Sequence, residues 1–178
     1  MKYLVMGHSG SGKSSLTKLI SGIKHIPLLY LDCVHFESDW KARNDEEARK
    51  IVKDFMDKNE SWVIDGNYFK FELEERVKQA NVIVYLNFNR ISCLIRAYKR
   101  YFKYKGKERE SISKGCYETM DAEFISWILK EGRTKERINM FNEIVKTPNK
   151  IIVVIKNQKE LNKFINTLKS GNKLEDIM

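Results

Sequence analysis

The chain has 178 residues, of which 42% are hydrophobic, 11% aromatic and 32% charged, enough length and apolar content for one packed core without metal or disulfide support. Its formal net charge is +9, and +7 of that excess lies between Arg90 and Arg109, where eight lysines and arginines face one acid, Glu108. Such a composition excludes wholesale disorder, no stretch is long and apolar enough for a membrane span, and three scattered cysteines, Cys33, Cys93 and Cys116, form no CxxC pair from which a disulfide framework or zinc site could be argued.

The opening MKYLVMGHSG has only a short apolar run before a glycine, so no secretory leader is predicted and a cytoplasmic location is expected. Tyr3 to Met6 reads as a strand. It leads into Gly7-His8-Ser9-Gly10-Ser11-Gly12-Lys13-Ser14, a full GxxxxGK[ST] pattern that opens a helical run from Leu16 to Ile23. Glycines let the backbone curl so that successive amide N–H groups face a phosphate, and a helix N-terminus adds partial positive charge there. Gly7, Ser9, Gly10, Ser11, Gly12, Lys13, Ser14 and Ser15 are therefore the predicted nucleotide-binding residues. Lys13 is expected to reach the β- and γ-phosphates, and the Ser14 hydroxyl to face Mg²⁺. His8 is expected to point outward as a tolerated loop residue.

A second strand, Leu28 to Leu31, ends at Asp32, which either takes the proton of an acceptor hydroxyl or caps a turn. His35 follows as a surface or packing histidine. Ala48, Ile51, Val52, Phe55 and Met56 recur at helical spacing, with Asn44 available as a cap. The strand Trp62 to Ile64 delivers Asp65 to the sheet edge, where it either holds Mg²⁺ in the manner of a Walker-B acid or serves as a turn or cap aspartate.

After a strand at Val82 to Leu86, Ile91, Leu94, Ile95, Tyr98 and Phe102 share one helical face, expected to pack, while Arg96, Lys99, Arg100 and Lys103 form a cationic one. The stretch from Lys105 to Tyr117 has glycines and no apolar periodicity, and reads as a mobile lid. Arg96 and Arg100, with the i, i+4 pair Arg133 and Arg137, suit cations placed around a transferring phosphoryl group. A fifth strand at Ile151 to Ile155 and a helix through Leu161, Phe164, Ile165 and Leu168 close the chain. No repeat or linker divides it, so residues 1–178 are expected to be one α/β domain, with the basic helix and lid at about 90–137. Continuous apolar strands alternating with helices predict a parallel sheet covered on both faces. No NKxD guanine-reading pattern is present, so ATP is the expected nucleotide.

The segments GSGKS at Gly10, YLDCVHF at Tyr30, WVIDGNY at Trp62 and KGKER…GC.E…EFISWI from Lys105 to Ile128 together resemble the bacterial DNA topology modulation proteins, relatives of adenylate kinase. The resemblance runs over nearly the whole chain and implies a P-loop fold of strand order 2-3-1-4-5, with Asp65 beside the P-loop strand and a helical lid. DGNY stands where adenylate kinases carry DGFPR, and their set of monophosphate-binding arginines is not matched here, Arg43 being the one candidate. The residues thus predict a Mg²⁺- and ATP-dependent kinase of a small acceptor such as a nucleotide or nucleoside. The basic segment and the family name also admit a nucleotide-switched, DNA-associated regulator.

Overall fold

Five strands form one all-parallel sheet in the computed structural model, which describes residues 1–172 and Leu174. They are β1 (Lys2–Gly7), β2 (Leu28–Tyr30), β3 (Trp62–Asp65), β4 (Val82–Leu86) and β5 (Ile151–Ile155), hydrogen-bonded in the order β2-β3-β1-β4-β5. The helices are α1 (Lys13–Lys24), α2 (Leu31–His35), α3 (Asp45–Lys58), α4 (Leu73–Gln79), α5 (Arg90–Tyr104), α6 (Ala122–Leu129), α7 (Lys135–Ile144) and α8 (Gln158–Ser170). Asp65 lies opposite Val5 on one side and Tyr30 on the other, so β2 and β3 finish together while β1 runs two residues further, to Gly7.

Successive strand side chains point to opposite faces, and both faces are covered. Tyr3 and Val5 enter one core with Leu16, Ile20, Cys93, Ala97 and Phe164 of α1, α5 and α8. Leu4 and Met6 enter the other with Ala48, Val52 and Met56 of α3 and Phe141 of α7. Every residue of β4 is buried, which is why its sequence is a continuous apolar run rather than an alternating one. Asn44 caps α3, its Oδ1 accepting from the Glu46 amide at 2.8 Å.

Two expectations change. Leu31 and Asp32 belong to α2 rather than to the second strand. The pairing of β2 with β3 stops at Tyr30 opposite Asp65, where β3 itself ends, so the chain has no ladder to continue and turns. The inward face of α5 also differs from the expected one. Ile91, Ile95, Tyr98 and Phe102 are exposed, Phe102 by 72%, and Leu94 is only partly covered. Cys93 and Ala97 are the buried residues. Small side chains let α5 approach the phosphate loop so closely that a Cβ on Gly10 would lie 2.3 Å from the Cys93 carbonyl oxygen. That approach turns the arginine side of the helix inward and leaves the larger apolar stripe outside.

Candidate active site

The loop from Gly7 to Gly12 joins β1 to α1. Gly10 has φ +78°, a left-handed conformation that glycine adopts without steric cost. At the start of α1, Gly12 provides no side-chain cap and the first turn holds no acid. By contrast α3, α5, α6, α7 and α8 are capped by Asn44, Asn89, Asp121, Thr134 and Asn157. The first amides of α1 are thus left to an outside acceptor, the arrangement that suits phosphate. Lys13 Nζ rests 3.3 Å from the His8 carbonyl. Asn67 fastens the loop from the neighbouring strand end: Oδ1 accepts from the Gly7 amide at 3.0 Å and Nδ2 donates to the Gly7 carbonyl at 2.6 Å.

Asp65 closes β3 beside this loop and is 4% exposed. Burial raises its carboxyl pKa to about 6, a repulsion from Asp32 adds to this, and Lys13, Ser14 and Arg109 pull it back. Its Oδ1 has no hydrogen-bond partner among the described residues. A buried carboxylate oxygen without a partner, next to the Ser14 hydroxyl, is a donor set that fits Mg²⁺. Asp32, reaching in from α2, accepts the Tyr68 hydroxyl at 2.8 Å. Burial, then the Asp32 and Asp65 charges, hold the Tyr68 hydroxyl far above its ordinary pKa, so it remains a donor. Burial likewise pushes the Cys33 thiol up to about 11, which removes it as a nucleophile at neutral pH.

Residues 105–121, between α5 and α6, contain no helix or strand and lie against α2 and the short turn Ser38–Trp40. Ser113 Oγ donates to the Phe36 carbonyl, Cys116 Sγ lies 3.1 Å from the Glu37 carbonyl, and the Trp40 indole donates to the Tyr117 carbonyl at 3.2 Å. Lys18 of α1 pairs with Glu110. This segment brings in Arg109, whose charge acts on Asp65, Tyr30 and Cys33.

The predicted arginines separate into two groups. Arg100 lies with Arg109 and Asp32 beside Glu118. Arg96 flanks the loop itself, stacking on Phe88 at 4.2 Å and donating to the Ser11 carbonyl at 3.2 Å. Arg133 is engaged with the Phe88 and Ile128 carbonyls at 2.9 and 3.1 Å. Arg137 lies 4.7 Å over the Trp127 ring, whose indole donates to Ser9 Oγ at 3.1 Å. Arg43 is bound to Glu47 at 2.7 Å. Ser15, beyond the loop, is exposed. Asn67, Tyr68, Arg109 and Glu118 were not singled out as site residues from the sequence, because their partners lie on other elements; the DGNY departure after Asp65 was the one local signal.

His8 does not point outward. It is 4% exposed, edge-on to Phe141 with ring centroids 5.6 Å apart, and its Nε2 is 3.3 Å from the Tyr85 hydroxyl. Burial, then the charges of Arg133 and Lys13, lower its pKa from 6.5 to about 4. The unfolded chain takes up this proton near 6.5 and the folded one only near 4, so this residue makes stability fall as pH drops through that window. Against a His8→Phe variant, wild type is expected to lose about 2 kcal/mol between pH 7 and pH 5. Denaturant melts at the two pH values check this, and parallel losses in both proteins would refute the buried neutral histidine.

No protein-family model and no curated protein matches the sequence, so the resemblance to the topology modulation proteins rests on its motifs alone. Among solved structures the chain is similar to a shikimate kinase from Acinetobacter baumannii in complex with shikimate, at 19% identity over 97% of this chain and 94% of that one, with a TM-score of 0.58. It is also similar to deoxyadenosine kinase from M. mycoides with products dCMP and a flexible dCDP bound (13% identity, 96% and 100% coverage, TM-score 0.52). A gluconokinase from Sinorhizobium meliloti 1021 matches at 15% identity over 99% of this chain and 92% of that chain, with a TM-score of 0.51. With its glycine loop between β1 and α1 and its sheet order β2-β3-β1-β4-β5, the chain has the P-loop fold of these kinases.

Proposed function

We infer that this protein is an ATP- and Mg²⁺-dependent kinase that transfers the γ-phosphoryl group to a hydroxyl of a small acceptor. The observation that carries this reading is the meeting of Lys13, at the uncapped start of α1, with Asp65 and Asp32 at the joined carboxyl ends of β2 and β3. Ligands of open parallel sheets bind at that edge. The amides of the glycine loop and Lys13 hold the phosphates, and Ser14 and Asp65 hold Mg²⁺, which when bound neutralises phosphate charge. Asp32, oriented by Tyr68, accepts the proton of the acceptor hydroxyl as its oxygen bonds to the γ-phosphorus. The bond to the β–γ bridging oxygen breaks and ADP leaves. Arg96 supplies positive charge from the loop side, while Arg109 and Arg100 line the acceptor side.

On this reading residues 1–178 act as one cytoplasmic domain, and about 90–137 form the lid. Arg133 and Arg137 then support the lid rather than touch the phosphoryl group. Three of the eight cations between Arg90 and Arg109 turn inward to the site, leaving Arg90, Lys99, Lys103, Lys105 and Lys107 exposed. That use of charge favours the kinase over a DNA-associated switch. The test is ADP formation from Mg²⁺·ATP in the presence of nucleosides, nucleoside monophosphates, sugars and sugar acids. Acceptor-dependent release supports the reading, and an acceptor-independent rate with the whole set refutes it.

A further inference from the structure

Glu118 sits in the segment between α5 and α6 and is 7% exposed. Its Oε2 is 3.1 Å from both Nε and a terminal nitrogen of Arg100. Its Oε1 is 2.7 Å from Nε of Arg109. This second contact is an ion pair by distance without an aligned hydrogen bond. Asp32 adds a second negative charge on this side of the phosphate loop, close enough to act on Arg100, Cys33 and Tyr68, and Asp65 lies within reach of Arg109. The two arginines are therefore balanced by Glu118 and Asp32.

Of the other cations nearby, Arg43 and Lys18 are engaged, while Lys41 and Lys114 line an open cleft with Arg43. Arg43 pairs with Glu47 at 2.7 Å and Glu37 at 3.4 Å, and donates to the Val34 carbonyl. Lys18 pairs with Glu110. Lys13 serves the nucleotide on the reading given above. A monophosphate or carboxylate entering beside Asp32 would lose hydration and meet two arginines already paired with Glu118. Hydroxyl groups carry no such penalty, since the carboxylate of Asp32 accepts them.

We propose that the acceptor is an uncharged polyhydroxyl compound, a nucleoside or a neutral sugar, and that Glu118 enforces this by pairing with Arg100 and Arg109 so that, together with Asp32, little net positive charge is left for an anion. The proposal rests on the kinase reading. Glu118 is a positioning residue in it, acting through the two arginines.

The experiment measures ADP formation from Mg²⁺·ATP with matched pairs: nucleosides against their 5′-monophosphates, and neutral sugars against the corresponding sugar acids, with Lys13→Ala as control. The neutral member of a pair is expected to show kcat/KM higher by about tenfold or more. Activity with nucleosides or with sugars tells which source supplies the hydroxyl. In Glu118→Gln, which frees positive charge at constant shape, the ratio of anionic to neutral kcat/KM is expected to rise about tenfold. Glu118→Asp, which keeps the charge, retains the wild-type ratio even if its rate falls, and thermal melts show that both variants fold. Should Glu118→Gln fail to fold, the wild-type ratio and Glu118→Asp still decide. Faster wild-type turnover of monophosphates or sugar acids overturns the proposal and leaves the kinase standing. No acceptor-dependent ADP from any compound overturns both. An unchanged ratio in folded Glu118→Gln overturns the role of Glu118.

Discussion

Replacing Lys13 by alanine is expected to abolish acceptor-dependent ATP turnover while leaving the fold intact. Lys13 is the first residue of α1, half-exposed and outside both cores, with its ammonium resting on the His8 carbonyl at 3.3 Å. Little packing is lost on truncation, so stability should move by no more than about 1 kcal/mol. The chemical cost is large, because phosphoryl transfer depends chiefly on fixed positive charge around the transferring group, and losing one such donor costs about a hundredfold to a thousandfold. The loss also removes a charge that holds the Asp65 pKa down, so metal binding should weaken further below neutral pH. A coupled ADP assay and a thermal melt on the same preparation decide the matter. More than a tenth of the wild-type rate in a folded variant would sink the assignment.

The largest stability effect is expected at Arg76. Its side chain is fully buried and donates to three backbone carbonyls: Phe71 at 2.8 Å, Gly66 at 3.3 Å, and Tyr68. Burial lowers its pKa to about 10, which still leaves it charged at neutral pH. The guanidinium ties together the loop after β3, whose first residue Gly66 has φ +132° and packs so tightly that a Cβ there would lie 2.8 Å from that of Leu31. This loop follows Asp65 and carries Asn67 and Tyr68 to the site. In Arg76→Met the carbonyls lose a common donor in a buried setting, at a cost of about 3–5 kcal/mol. For a chain of this length that lowers Tm by about 10 °C. Arg76→Lys keeps the charge but cannot span three acceptors in a plane, and should recover less than half of the loss. Chemical denaturation measures both, and a cost below about 1 kcal/mol for Arg76→Met would refute the clamp.

The parts of the site that were legible in the sequence are those built from contiguous residues. GHSGSGKS is a loop whose proposed phosphate-binding role rests on consecutive amides and a helix start, so the proposal could be made without knowing the neighbours. Asp65 was legible because strand Trp62–Asp65 ends there. His8 was misplaced because nothing local reveals that Tyr85 and Phe141, distant in the chain, close over it. The same is true of Glu118, an acid in an aperiodic stretch whose importance comes from Arg100 and Arg109.

By itself the sequence determined the five strands and the glycine loop after the first, since both follow from the spacing of apolar residues and glycines within a few turns of chain. Only the tertiary structure decided which face of α5 turns inward, and which arginines are spent on carbonyls and which on Glu118. The reason is range. Periodicity and turn chemistry act between neighbours in sequence, whereas helix orientation and charge balance come from contacts between segments far apart, such as Gly10 with Cys93, Arg96 with Ser11 and Asp32 with Tyr68.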